Sequence, residues 1–255
     1  MKSKCKFTPF LLIENDSRPP VEDIANVETI PDPLWKPSRT WTTPDSLCAI
    51  VDADAAARAG WTPVALAQAF LDGGARFLQL RAKTMAGGQL LETAAAMIEL
   101  TRAAGATLIV NDRADIARLA SADGVHVGQD DLAPAAVRAL VGPAAIVGLS
   151  THTVEQLDRA VQQPVTYLAI GPVFDTTTKA TGYDRVGLDM VRAAAARAQA
   201  VGRPLVAIGG ITIDNAPSVI DAGAASVAVI GDLLTGNDPE RRTRSFLQAL
   251  QRSTG

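Results

Sequence analysis

Residues 47 to 81 read LCAIVDADAAARAGWTPVALAQAFLDGGARFLQLR and hold one strand, helix and strand in succession. The apolar runs LCAIVD (47 to 52) and RFLQLR (76 to 81) are of strand length and bracket an alanine-rich segment, PVALAQAFLDGG. Pro63 suits the first turn of a helix, and Gly73 suits its C-terminal cap.

The unit repeats to the end of the chain. Further apolar runs are ATLIV (106 to 110), GVHV (124 to 127), AAIVGLS (144 to 150), TYLAIG (166 to 171), PLVAIGG (204 to 210) and ASVAVIG (225 to 231). Helix candidates separate them, among them GLDMVRAAAARAQAVG, again closed by glycine. Near-continuous β-branched runs alternating with helices imply parallel strands buried on both faces. Eight such units fit a closed (β/α)₈ TIM barrel of the α/β class better than an open sheet, and 255 residues is the usual size for one such domain.

The first 46 residues differ. They hold seven of the fifteen prolines and two of the three tryptophans, without helical or alternating periodicity. We read residues 1–46 as an irregular or disordered extension and 47–255 as the barrel. Lys2, Lys4 and Lys6 before FTPFLLI faintly resemble a secretory signal, but the apolar piece is short, contains Pro9 and meets Glu14 without a small-residue cleavage site.

Composition excludes several classes. Hydrophobic residues make up 47% and charged residues 20%, with a formal net charge of -3, which gives no basic surface for nucleic acid. No apolar run approaches the roughly 20 residues that span a membrane. Two cysteines, Cys5 and Cys48, form neither a disulfide framework nor a metal-ligand pair, which points to a reducing compartment, the cytoplasm. The expected partners are small molecules, and composition leaves a homo-oligomer open.

In a barrel the C-terminal strand ends converge on one face, where active sites lie. Those ends carry Gln79, Arg81 and Lys83; Asn111 and Asp112; Gln129, Asp130 and Asp131; Ser150 and His152; Thr176 to Lys179; Gly209 and Gly210; Ile230 and Gly231. Arg81, Lys83 and Lys179 are cations. Asp112 and Asp131 leave consecutive strands and suit a shared hard divalent cation, completed by water and phosphate oxygens. Cations and carboxylates together predict a Mg²⁺-bound diphosphate. Asp112 also stands where an N-cap for RADIARLA would stand, and both roles are compatible.

A second anion site is expected nearby. AIGG after the seventh strand and VIG after the eighth form a glycine-lined corner suited to phosphate through backbone N–H groups, or else a pair of tight turns. The run Thr176, Thr177 and Thr178 adds hydroxyl donors at the neighbouring sixth strand, where the alternative is a solvated turn. His126, within GVHVG, reads as a hydrogen-bonded core residue. His152 follows Ser150 with no third partner in view, so a Ser/His nucleophilic pair is not expected.

Seven pieces occur in order and with compatible spacing: LQLRAK, VNDRADIA, ADGVHVGQDD, GLSTHT, GPVFDTTTK, AIGGIT and SVAVIG. In this they resemble thiamine phosphate synthase. The resemblance implies a (β/α)₈ barrel that joins a hydroxymethylpyrimidine diphosphate to a thiazole phosphate and releases diphosphate. It implies that Gln79, Leu80, Arg81, Ala82, Lys83, Asn111, Ser150 and Lys179 hold the pyrimidine diphosphate. Among these, Arg81, Lys83, Ser150 and Lys179 act in catalysis. Asp112 and Asp131 would bind one Mg²⁺. Thr176, Thr177, Thr178, Gly210, Ile230 and Gly231 would hold the thiazole phosphate.

Three departures from the family pattern stand out. Asp175 occupies a usual proline position and brings negative charge beside the phosphate site unless it turns outward. Gly231 replaces a common serine, and the N-terminal extension lies outside the pattern. Two other functions share the phosphate corner: a thiazole tautomerase, and a non-catalytic relative that binds thiazole phosphate. Neither needs the Mg²⁺-diphosphate residues.

Overall fold

The computed structural model describes residues 44–176 and 182–251. Residues 1–43 of the expected extension lie outside the described residues. Eight strands appear in the expected places: β1 Leu47–Asp52, β2 Phe77–Arg81, β3 Thr107–Asn111, β4 Gly124–Val127, β5 Ile146–Thr151, β6 Tyr167–Ile170, β7 Leu205–Ile208 and β8 Ser226–Val229. They pair in parallel in chain order, and β8 closes on β1 through Leu47 opposite Val227. The fold is a (β/α)₈ barrel.

The helices are α1 Ala53–Arg58, α2 Pro63–Asp72, α3 Gly87–Ala103, α4 Ala114–Leu119, α5 Pro134–Val141, α6 Val154–Ala160, α7 Gly187–Ala200, α8 Ala216–Asp221 and α9 Pro239–Gln251, with 3-10 turns over Gly231–Asn237. Thr62 Oγ1 caps α2 through Ala65 N at 3.2 Å, Pro63 opens it, and Gly73 ends it as the sequence predicts.

Strand side chains alternate between two cores. Leu47, Ala49 and Val51 of β1, with Leu78 and Leu80 of β2, join the larger cluster between sheet and helices. Cys48, Ile50, Phe77, Ile109, Ile146, Tyr167 and Val206 point inward and fill the barrel. Burying one such large apolar side chain contributes about 1.5–3 kcal/mol, so the inward layer is a packed floor and not a pore.

Arginines tie the opposite end together, where helices finish and strands begin. Arg76 Nη1 donates to the carbonyls of Leu71 at 3.0 Å and Ala75 at 2.8 Å. Arg138 reaches Gly142 O at 3.0 Å, Ala145 O at 2.6 Å and Pro164 O at 3.2 Å. Arg118 takes Leu140 O at 2.5 Å, and Arg203 takes Val161 O at 3.0 Å. Carbonyls left open at helix C-termini are thereby satisfied by cations, which also suit the negative dipole end.

Candidate active site

A cavity of about 340 Å³ opens at the C-terminal ends of the strands. Gln79, Arg81, Asn111, His126 and Ser150 line it on the β2 to β5 side. Val206, Ile208, Ala228 and Ile230 supply an apolar wall opposite. The cavity therefore offers polar recognition on one side and a surface for an uncharged ring on the other.

The β2 end is sorted by the period of two. Gln79 and Arg81 point into the cavity, whereas the Leu80 side chain is buried in the outer core and Ala82 packs against that core. The Leu80 and Ala82 side chains thus face away from the cavity, which leaves their backbone for the expected part in ligand binding. Lys83 sits beyond the strand end and pairs with Asp112 Oδ2.

Asp112 and Asp131 come together, as their neighbouring strands allow. Asp131 Oδ2 accepts from Gly128 N at 2.7 Å, and the two carboxyl groups share a hydrogen bond. Burial raises the Asp112 carboxyl above its ordinary range; Asp131 adds to the rise, against the pull of Lys83. Burial also opposes ionisation of Asp131, but the Gly128 N–H, the Asp112 hydrogen bond and the Lys83 charge outweigh it and lower its pKa. Asp112 does not act as the α4 cap: Arg113 holds that position without a side-chain bond, and Asp112 has φ 64, a left-handed conformation unusual for its type.

Two hard carboxylates facing one cationic side chain fit a divalent ion. Among the described residues no third His, Cys, Asp or Glu joins a metal-binding group. Such a pair suits Mg²⁺, which keeps waters and takes substrate phosphate oxygens.

Beneath the mouth runs a hydrogen-bonded chain. Gln79 bonds the Tyr167 hydroxyl, which lies 2.8 Å from His126 Nδ1, and His126 Nε2 lies 2.8 Å from Ser150 Oγ. Burial pushes the Tyr167 phenol well up, so it stays neutral. His126 stacks on Tyr167, and Gly148 makes room: a Cβ there would stand 2.1 Å from Tyr167 Cζ. The histidine partnered with Ser150 is therefore His126. His152 instead bonds the Gly171 carbonyl at 2.5 Å and stacks on Tyr183.

Thr176, Gly209, Gly210, Ile230 and Gly231 line the other end of the cavity. Thr177, Thr178 and Lys179 lie outside the described residues. Gly210 has φ 63, and a Cβ on it would meet Asp175 O at 2.4 Å, so the loop after β6 packs directly on this backbone. Asp175 itself lines the cavity edge, with its side chain 81% exposed and paired with Arg185 at 3.0 Å.

Comparison with known proteins places the chain in a family. The family described as thiamine monophosphate synthase matches residues 47–233, from β1 past β8. The chain belongs to that family. A thiamine-phosphate synthase of Chlorobium luteolum is 44% identical over 201 residues, covering 79% of this chain and 91% of the relative. One from Koribacter versatilis is 50% identical over 186 residues, covering 72% and 84%. Among solved structures, thiamine phosphate pyrophosphorylase from Pyrococcus furiosus matches with a TM-score of 0.73 at 30% identity, over 82% of this chain and 97% of that one.

Membership in the thiamine monophosphate synthase family bears out the resemblance read from the seven pieces, and makes the chain a transferase of thiamine biosynthesis. The extra carboxylate of Asp175 thus stands at the edge of the glycine corner with its charge answered by Arg185. Sequence reasoning missed Asp52, which ends β1 and pairs with Arg81. Its signal was present: the run LCAIVD closes on the one acidic residue in the strand. Tyr167 was missed because nothing in TYLAIG marks its hydroxyl as part of the cavity.

Proposed function

We propose that the chain condenses 4-amino-2-methyl-5-(diphosphooxymethyl)pyrimidine with a thiazole phosphate to give thiamine phosphate and diphosphate. The observation that carries this reading is the carboxyl pair Asp112 and Asp131, answered by Lys83, next in the chain to Asn111 of a cavity that Arg81 also lines. Anion-binding cations and metal-binding carboxylates in one place serve a metal-bound diphosphate and have no use in a site for a single monophosphate.

Asp112 and Asp131 would hold Mg²⁺, which when bound supplies charge neutralisation to a diphosphate leaving group. Arg81 donates to diphosphate oxygens from the cavity wall, and Lys83, beside Asp112, is assigned to the same anion. Lys179 is assigned to the same diphosphate. Gln79, Asn111 and Ser150 donate to or accept from the polar edge of the pyrimidine, with Ser150 oriented by His126. As the C–O bond breaks, the electron pair leaves with diphosphate, and the aminopyrimidine ring carries the positive charge. The thiazole nitrogen then donates its pair to the methylene carbon. Thr176, Thr177 and Thr178 with the backbone of Gly210, Ile230 and Gly231 hold the thiazole phosphate so that attack is in line. No enzymic nucleophile is required, in keeping with Ser150 serving as a hydrogen-bonding group. We place the reaction in the cytoplasm, in accord with the free thiol of Cys48.

The test is turnover with both substrates, following diphosphate release with and without Mg²⁺. Formation of thiamine phosphate that stops on chelation and returns with Mg²⁺ supports the reading. Thiazole isomerisation without condensation would replace it with a tautomerase, and binding without turnover with a non-catalytic relative.

A further inference from the structure

Arg81 is aimed by a carboxylate from the neighbouring strand. Asp52 stands opposite Arg81 in the β1–β2 register, and the two side chains are only 6% and 15% exposed. Asp52 Oδ1 accepts from Ala55 N at 2.8 Å at the start of α1, while Oδ2 accepts from Arg81 Nη1. Two residues on, Asp54 Oδ1 accepts from Thr84 Oγ1 at 2.8 Å. The turn from β1 into α1 thus grips the strip Arg81–Thr84 at both ends, with Lys83 between the two ties. Meanwhile Arg81 Nε is buried without a hydrogen-bond partner. A buried guanidinium N–H left unmatched is costly, and the guanidinium is held in place against that cost by its pairing with Asp52.

We infer that Asp52 is a positioning residue for the diphosphate half of the reaction: by holding Nη1, it fixes the plane of the Arg81 guanidinium, so that the N–H groups it turns to the cavity meet an oxygen of the leaving group in a set direction. The inference rests on the proposed function. Asp52 lowers the net positive charge of the cavity by one unit, which would be counterproductive if Arg81 acted only as diffuse charge. A fixed direction is what a planar fork of donors requires, since the oxygens that gain charge must find the N–H already in place. The α1 cap in turn holds the carboxylate, so direction passes from helix start to Asp52 to Arg81.

Asp52→Asn tests this. Asparagine keeps the Oδ1 acceptor for Ala55 and the side-chain volume, but turns an N–H donor toward the guanidinium. The expected result is a melting temperature within a few degrees of wild type, kcat lower by about tenfold or more, and an unchanged KM for the thiazole phosphate. In an Arg81→Ala background the same change should cost less than about twofold, because Asp52 acts through Arg81. Should Asp52→Asn fail to fold, Asp52→Ser retains a capping oxygen and carries the same cycle. Inorganic diphosphate titrated with Mg²⁺ into the wild-type protein tests the underlying site: absence of binding would overturn the diphosphate reading itself. Binding accompanied by full turnover of Asp52→Asn, or by an equal loss in both backgrounds, would overturn the role of Asp52 alone.

Discussion

Asp112 carries three unusual properties at once: φ 64, a raised pKa and a hydrogen bond to a second carboxyl. Each is unfavourable in isolation, and together they accord with the metal role proposed for this residue. Asp112→Ala should leave the barrel intact while turnover at saturating substrates and Mg²⁺ falls at least about a hundredfold, since a metal clamp contributes several kcal/mol to the transition state. Near-normal steady-state turnover would remove Asp112 from the metal site. Gly148 makes the opposite case, a residue with no side chain whose absence matters. In Gly148→Ala the new methyl group would lie 2.1 Å from Tyr167 Cζ and 2.4 Å from His126 Nδ1, so the stack must shift. Overpacking of this kind costs typically about 1–3 kcal/mol, or roughly 2–12 °C in melting temperature for a chain of this size. Thermal melts and kinetics should show both a lower midpoint and a lower kcat, because Ser150 loses its anchor.

At the scale of elements, strands were legible and side-chain direction was only partly so. Parallel strands buried on both faces announce themselves as continuous apolar runs, and the eight expected runs overlap the eight observed strands. The strand period separates Gln79 and Arg81 from Leu80, but a resemblance carried over as a contiguous block does not. The partner of Ser150 could not be read at all. It depends on Gly148 of β5 standing opposite both His126 of β4 and Tyr167 of β6, a register that exists only once the strands are paired. The loop after β6 remains the element where two anions would meet. If its threonines hold the thiazole phosphate, Thr176→Ala removes a bond to a charged group worth about 1.5–3 kcal/mol. Apparent affinity for the thiazole substrate should then fall roughly ten- to a hundredfold. Lys179→Ala should instead slow diphosphate release. Kinetics with each substrate varied in turn would distinguish them, and identical profiles would mean that this loop serves one anion.

Across the whole molecule, the barrel closes where β1 begins: Ser46 O accepts from Val227 N at 2.9 Å, and Leu47 pairs onto β8. A chain beginning at Pro44 should therefore stay soluble and keep its turnover, as measured by the condensation assay beside the full-length protein. Loss of either would move the boundary toward the N-terminus. The arginines at the far end of the barrel have a consequence of another kind. Arg138 gathers carbonyls from the segments leading into β5 and β6, a barrel length away from the mouth. Arg138→Met should lower the melting temperature by several degrees, through stranded helix-end carbonyls, with both KM values unchanged. Sequence drift at the two ends of this barrel is then judged by different examiners: one end answers to heat, the other to substrate. A lineage can retune its working temperature at the base without reopening the question of what the mouth will accept.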